Sequence, residues 1–346
     1  MLTVKFLART SASEDPSLWT SLLPGGDAEA FGVRYVFDLD ARAYDFLVVY
    51  EDLPYPEGST RSLRVEPLGC SRADTLFVTT EPTGIKVYGR HYLRQFGHVL
   101  SRQPREVVDH PGHIHRTPPL RPYYGRALSN GAGRHLSWSE LAQSPPERTG
   151  VGKRPEVSMV CSSKTMTPEL AARYAFAMRM REEAGVDVFG RGIRPIADKS
   201  EAMDAYSYHV AVENHLQPGH WTEKISDCFL AECLPFYHGD PAIAEAFPED
   251  AVIPIDIREP EAARETIVRA MRDNLYPARL PAIREAKRRV LEDHNLLRVC
   301  ADIARERHAG GAPGGEVLGR HAFRRAHPVL AARDAVRGRR MRGRRA

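Results

Sequence analysis

The chain has 346 residues, 27% of them charged, with a net charge of +4 and a mean hydropathy of −0.42. That length suits two domains with separate cores. No apolar run reaches the roughly 20 residues that cross a bilayer, and MLTVKFLA is interrupted too soon for a secretory signal, so a cytoplasmic protein is expected.

Leu2 to Ala8, Gly32 to Phe37, Phe46 to Tyr50 and Leu76 to Val78 read as strands separated by polar connections. They predict a small α/β domain. Asp38-Leu39-Asp40 is a DxD triplet, but two acids at a strand end are common, and it is read as a turn. The fourth strand runs into Thr79-Thr80-Glu81-Pro82. Proline forces the residue before it into extended backbone, so Glu81 should project from the carboxyl end of a buried strand. Cys70, Cys161, Cys228, Cys233 and Cys300 contain no CxxC pair and read as reduced packing residues.

Residues 103 to 155 are rich in Pro, Gly, Arg and His and should connect the domains. His110, His113 and His115 are close together, but no carboxylate or cysteine completes a ligand set, and no metal is expected there. Gly150-Val151-Gly152-Lys153 lacks the following Ser/Thr and the strand context of a P-loop. Val157 to Cys161 then predicts a strand, followed by the polar turn Ser162-Ser163-Lys164-Thr165. Thr167-Pro168-Glu169 starts a helix that carries Arg173 and ends near Gly185. Val186 to Phe189 is the next strand, leading into Gly190-Arg191-Gly192, and Asp198-Lys199 begins a short helix.

Tyr208 to Asp240 is the most informative stretch. An apolar strand stops at Glu213-Asn214, a Pro/Gly/His loop follows, and Thr222 stands at a helix N-cap with Glu223 and Lys224 in the first turn. A second buried strand, Leu234 to Tyr237, ends at His238-Gly239-Asp240. Ionisable residues are thus gathered at strand carboxyl ends and at a helix N-terminus, where open α/β sheets bind ligands and helices receive phosphate.

Val212-Glu213-Asn214, Thr222-Glu223-Lys224, Leu234-Pro235, Tyr237-His238-Gly239 and Ile253-Pro254-Ile255-Asp256, in that order, resemble glycosyltransferase family 10, the α-1,3/4-fucosyltransferases. The resemblance covers roughly Leu76 to Asp256 and is strong only from Val157 onward. It implies an α/β protein of GT-B architecture, two Rossmann-like domains facing a cleft. The expected divisions are an acceptor-side domain over 1–150, a donor domain over 151–309 and a basic tail over 310–346. The implied activity is inverting transfer of fucose from GDP-fucose to a hydroxyl of a glycan or glycolipid. Alternatives are another GDP-sugar, or a catalytically silent carbohydrate-binding relative at a membrane surface.

By the same resemblance Glu81 is the catalytic base, with Glu51 its runner-up. Arg173 and Lys224 neutralise the diphosphate, and Lys164 and Arg191 are alternatives to Arg173. Glu223 accepts from ribose or sugar hydroxyls, Asn214 fixes the sugar or the loop, and Glu213 shares the site. His220-Trp221 stands where many members have Tyr and a small aliphatic residue, so His220 takes the tyrosine's place beside the sugar. No bound cofactor or metal is required, although a divalent cation could stimulate. The animal members carry an N-terminal membrane anchor and stem that this chain lacks, so the bacterial, cytosol-facing type is implied.

Val317 to Ala346 holds ten arginines against Asp334, a charge of +9, so the rest carries +4 less +9, or −5. Following the Gly-rich break at Gly310 to Gly315, this tail is expected to be an appendage, a short basic amphipathic helix with a disordered end. It would suit an anionic membrane surface. It has no interleaved aromatic or base-reading motif for specific nucleic-acid binding.

Overall fold

The computed structural model describes residues 1–10, 16–56, 58–126 and 135–343. The chain divides into two compact units, Met1–Pro119 with Leu296–Ala346, and Leu120–Asn295. Unit 1 contains β1 (Leu2–Ala8), β2 (Glu29–Ala30), β3 (Val33–Val36), β4 (Phe46–Tyr50), β5 (Val65–Pro67), β6 (Thr75–Val78), β7 (His98–Ser101) and β8 (His113–His115). All but β5 form one sheet in the order β2-β3-β1-β4-β6-β7-β8, parallel except for the β2–β3 pair. All five residues of β4 are buried, as expected of a central parallel strand covered on both faces. The two-residue period sends Phe6 and Val48 into one core and Leu7, Leu47 and Val49 into the other.

Unit 2 has five parallel strands, β9 (Arg154–Val160), β10 (Asp187–Phe189), β11 (Tyr206–Val212), β12 (Leu234–His238) and β13 (Ile253–Pro254), in the order β10-β9-β11-β12-β13. The helix Pro168–Ala184 starts where Thr167 Oγ1 accepts from Leu170 N at 3.3 Å and stops at Gly185, whose φ is +67°. The helix Glu223–Leu230 follows β11. The chain then returns to unit 1 through the helix Leu296–Arg307, β14 (Glu316–Leu318), the helix Arg320–Ala326 and the helix Pro328–Gly343.

Two expectations about organisation are corrected. Residues 120–150 belong to unit 2, because Tyr124, Leu136 and Leu141 lie in its core. The Tyr124 hydroxyl also donates to Asp204 at 2.5 Å. Unit 2 ends at Asn295 and not at 309, because Leu297, Cys300, Ala301 and Ala304 pack into the core that holds β1. A helix's apolar stripe shows that it covers a sheet but not which one.

The basic tail is not an appendage either. β14 pairs antiparallel with β5, Val317 and Phe323 are buried, and Asp334 accepts from His91 N at 3.1 Å and Tyr92 N at 3.2 Å. Helix persists to Gly343, and the last three residues of the expected disordered end lie outside the described residues, as do 127–134 of the expected connection. The five cysteines are buried and free.

Candidate active site

In unit 2 the chain passes from β9 to β10 on one side and then to β11 on the other, so the winding reverses between β9 and β11. The carboxyl ends of strands flanking such a switch point form a ready crevice. Arg173 closes it, with Nη1 donating to Asn214 Oδ1 at 2.7 Å and Nη2 to Val160 O at 3.4 Å. Two residues far apart in sequence, one from a helix face and one from a loop, thus meet over the reversal.

Beside them begins the helix Glu223–Leu230. Its N-cap Thr222 accepts from Lys224 N at 3.3 Å and from Lys224 Nζ at 3.1 Å. Lys224 Nζ also meets Glu223 Oε1 at 3.1 Å and Glu213 Oε2 at 3.4 Å. Burial works against the ammonium, but Glu223 and Glu213 overcome it and hold its pKa above the ordinary lysine value. Burial alone would raise Glu223, yet Lys224 and then Lys199 bring it down to about 2. Glu223 is therefore a carboxylate at every working pH, a pure hydrogen-bond acceptor.

Glu213 joins the cluster through the N-cap. It is 4% exposed and accepts from Thr222 N at 2.9 Å, from Thr222 Oγ1 at 2.6 Å and from the Tyr237 hydroxyl at 3.5 Å. Both oxygens are spent on closing the loop between β11 and the next helix, and burial raises its pKa against the pull of Lys224. It acts on Lys224 and the cap. His220 is buried, and burial, followed by the Lys224 charge, lowers its pKa to about 4, so its imidazole is neutral near pH 7. Lys164 is exposed in the turn after β9, and no hydrogen bond or ion pair joins it to the cluster; Arg191 is likewise exposed, its carbonyl accepting from Ser163 N at 3.0 Å.

Sequence reasoning missed Lys199 and Asp227. Lys199 Nζ pairs at 2.5 Å with Asp227 Oδ2, a fully buried carboxylate on the helix Glu223–Leu230. The other oxygen of Asp227 accepts from Tyr123 N at 2.9 Å and Tyr124 N at 3.1 Å. Asp198-Lys199 was legible as the start of the short helix, where Asp198 and Glu201 form a capping box. The direction of Lys199 was not, because it depends on that helix docking against a segment 28 residues further on.

The site thus gathers Arg173, Lys199 and Lys224 around a helix N-terminus, with Lys199 held by Asp227 and Lys224 by Glu223 and Glu213, so that three acids accompany the three cations. Arg173 is bonded to Asn214 and to Val160 O rather than to a carboxylate, and it joins the helix dipole in favouring an anion such as a diphosphate. Next to it a cavity of about 640 Å³ opens at the carboxyl ends of β12 and β13, walled by Pro218, Tyr237 and Pro254 and edged by His238, Asp256 and Arg258.

Glu81 lies in unit 1, half-buried beyond the end of β6. The buried Gln103 side chain donates to Glu81 O at 2.8 Å and Lys86 O at 2.6 Å, tying down the loop. The Glu81 carboxylate makes no ion pair or hydrogen bond among the described residues. Glu51, in contrast, is paired with Arg9 at 2.9 Å. Asp38 accepts from Asp40 N at 2.9 Å in a local turn, and no group of three or more His, Cys, Asp or Glu among the described residues could hold a metal ion.

Two Rossmann-like units, each wound outward from an inner strand of a mainly parallel sheet, define the GT-B fold class. Among solved structures, the chain shares this fold with an α-glucosyltransferase in complex with UDP and a mismatched 13-mer DNA. The two are 9% identical with a TM-score of 0.51, over 88% of this chain and 100% of that one. An α1,3-fucosyltransferase with GDP-fucose is 16% identical with a TM-score of 0.44, over 81% of each chain. A β-glucosyltransferase that modifies DNA is 9% identical with a TM-score of 0.48, over 88% and 100%. No protein-family model and no curated protein sequence matches the chain.

Proposed function

We propose that the protein is an inverting glycosyltransferase that moves fucose from GDP-fucose to a glycan hydroxyl, without a bound cofactor. The observation that carries this reading is the cation cluster of unit 2, with Arg173 spanning the β9/β11 switch point and Lys224 at the helix N-terminus. Negative charge grows on the leaving diphosphate as its bond to the anomeric carbon breaks, and fixed cations stabilise that charge. A donor hydroxyl near Glu223 would draw its carboxylate from Lys224, freeing the ammonium for phosphate. The acceptor oxygen attacks the opposite face of the anomeric carbon, Glu81 takes its proton, and GDP departs.

Calorimetric titration with GDP, UDP and CMP tests the reading. GDP is expected to bind selectively, and Lys224→Ala to weaken it roughly tenfold to a hundredfold, as for loss of a charge-assisted contact. Glu81→Gln should bind GDP as the wild type does, while transfer from GDP-fucose falls about 10²–10⁴-fold. Equal binding of all three nucleotides would sink the reading. A peripheral membrane location completes it, because the outer face of the helix Pro328–Gly343 shows Val329 and Val336 at 64% and 49% exposure beside Arg333 and Arg340.

A further inference from the structure

The chain leaves unit 1 after Pro119, and the first stretch of unit 2, Leu120 to Gly125, belongs to no helix or strand. Its backbone donors need partners all the same. Three successive amides find them on carboxylates. Tyr123 N and Tyr124 N donate to Asp227 Oδ1 at 2.9 and 3.1 Å, and Gly125 N donates to Asp198 Oδ1 at 3.1 Å. The hold on this entry segment is therefore charge-assisted and rests on two acids.

Both acids flank Lys199. Asp198 caps the short helix Lys199–Ala202, and Asp227 Oδ2 meets Lys199 Nζ at 2.5 Å. Asp227 is fully buried and stands one helical turn below Glu223 and Lys224, at the i+4 and i+3 spacings that share a helix face. Burial works against the Lys199 ammonium, but Asp227 and then Glu223 overcome it and raise its pKa. Lys199 in turn helps Lys224 to keep Glu223 ionised. One ammonium, 13% exposed, thus serves two carboxylates. The buried one seats the entry segment, and the other lies in the first turn of the helix that faces the crevice.

We propose that Asp227 is a positioning residue that couples this helix N-terminus to the entry segment through Lys199, so that an anion bound at the first tightens the second. That the anion is the diphosphate of a nucleotide rests on the transferase reading. Negative charge brought up to Lys224 and Lys199 stabilises the ammonium where Asp227 holds it. When the segment lifts, Asp227 loses two hydrogen bonds and its burial, and Lys199 loses its fixed place, so a bound anion raises the cost of that opening. Linkage makes the effect reciprocal, and the seated segment raises anion affinity by the same factor. Asp227 acts without touching the ligand, because its two oxygens are occupied by Lys199 and the two tyrosine amides.

Amide hydrogen exchange of the full chain, followed in the peptide that covers Leu120–Gly125, tests the coupling. Saturating GDP is expected to slow exchange there roughly fivefold or more in the wild type. Asp227→Asn keeps an oxygen for the two amides but no charge for Lys199, and Lys199→Gln removes the ammonium. In both, at GDP concentrations that saturate each protein, the segment's exchange should not change. If an unpaired Lys199 unfolds Asp227→Asn, Lys199→Gln decides. Tyr124→Phe removes only the hydroxyl's bonds to Asp204 and Arg148, so it should loosen the same segment and still show the slowing. GDP binding without slowing in the wild type, or slowing that persists in Lys199→Gln, overturns the proposal. Failure of GDP to bind the wild type brings down the transferase reading together with the coupling, and calorimetry separates that outcome from the others.

Discussion

At the scale of single residues, buried histidines make this protein sensitive to acid. His209 is 3% exposed on β11, with Nδ1 2.8 Å from Ser158 Oγ on β9. Burial, then the Lys199 and Lys153 charges, push its pKa down to about 3. In the unfolded chain a histidine titrates near pH 6.5, so between about pH 6.5 and 3 the unfolded state binds the extra proton. The stability associated with neutral His209 is full above that window and is lost as pH falls through it. Unfolding free energy should drop by roughly 2–4 kcal/mol between pH 7 and 4. His220, lowered to about 4, acts in the same direction. Urea melts across this range should show a shallower slope for His209→Gln, and an identical slope would disprove the assignment.

At the scale of elements, the C-terminal helices decide how unit 1 is built. Phe323 is 4% exposed and packs edge-on to Tyr92 at 5.7 Å. Asp334, the one acid among ten tail arginines, is turned inward onto the amides of His91 and Tyr92. Gly89 allows this approach, since a Cβ there would lie 2.2 Å from Asp334 Oδ2. Phe323→Ala should therefore cost about 3–5 kcal/mol of stability, as core truncations do. A dangling tail would register less than about 0.5 kcal/mol. Guanidinium denaturation distinguishes the two, and a silent Phe323→Ala would restore the tail to an appendage.

At the scale of the whole molecule, charge is unevenly distributed, with +9 in Val317–Ala346 against −5 elsewhere. Because Asp334 is drawn inward, the outer face of the helix Pro328–Gly343 is left to Val329, Ala332 and Val336 between arginines. Attraction of about 1 kcal/mol per basic residue near an anionic leaflet, plus shallow burial of two valines, should hold the protein to the surface. Cosedimentation with phosphatidylserine vesicles is expected at low salt, to weaken at high salt, and to be lost with Val329→Asp/Val336→Asp. Equal binding to neutral phosphatidylcholine vesicles would rule out the electrostatic account.

What the sequence by itself determined lies close together along the chain. Glu213, Thr222, Glu223 and Lys224 fall within twelve residues, so strand end, cap and first turn could be read as one motif with its chemistry. Most of the parallel strands were legible from their apolar runs, although β7 and β8 were not and Tyr92 to Leu100 read as a helix, and the helix at Pro168 was legible from Thr167 and Gly185. Only the tertiary structure decided what depends on distant segments meeting. It tied Glu213 to the N-cap Thr222, placed Lys199 on Asp227, and set Arg9 against Glu51. It also returned Leu296–Arg307 and the basic tail to the first sheet. Local patterns record which face of an element is apolar, but its partner is chosen by burial summed over the whole fold, which no single stretch of sequence encodes.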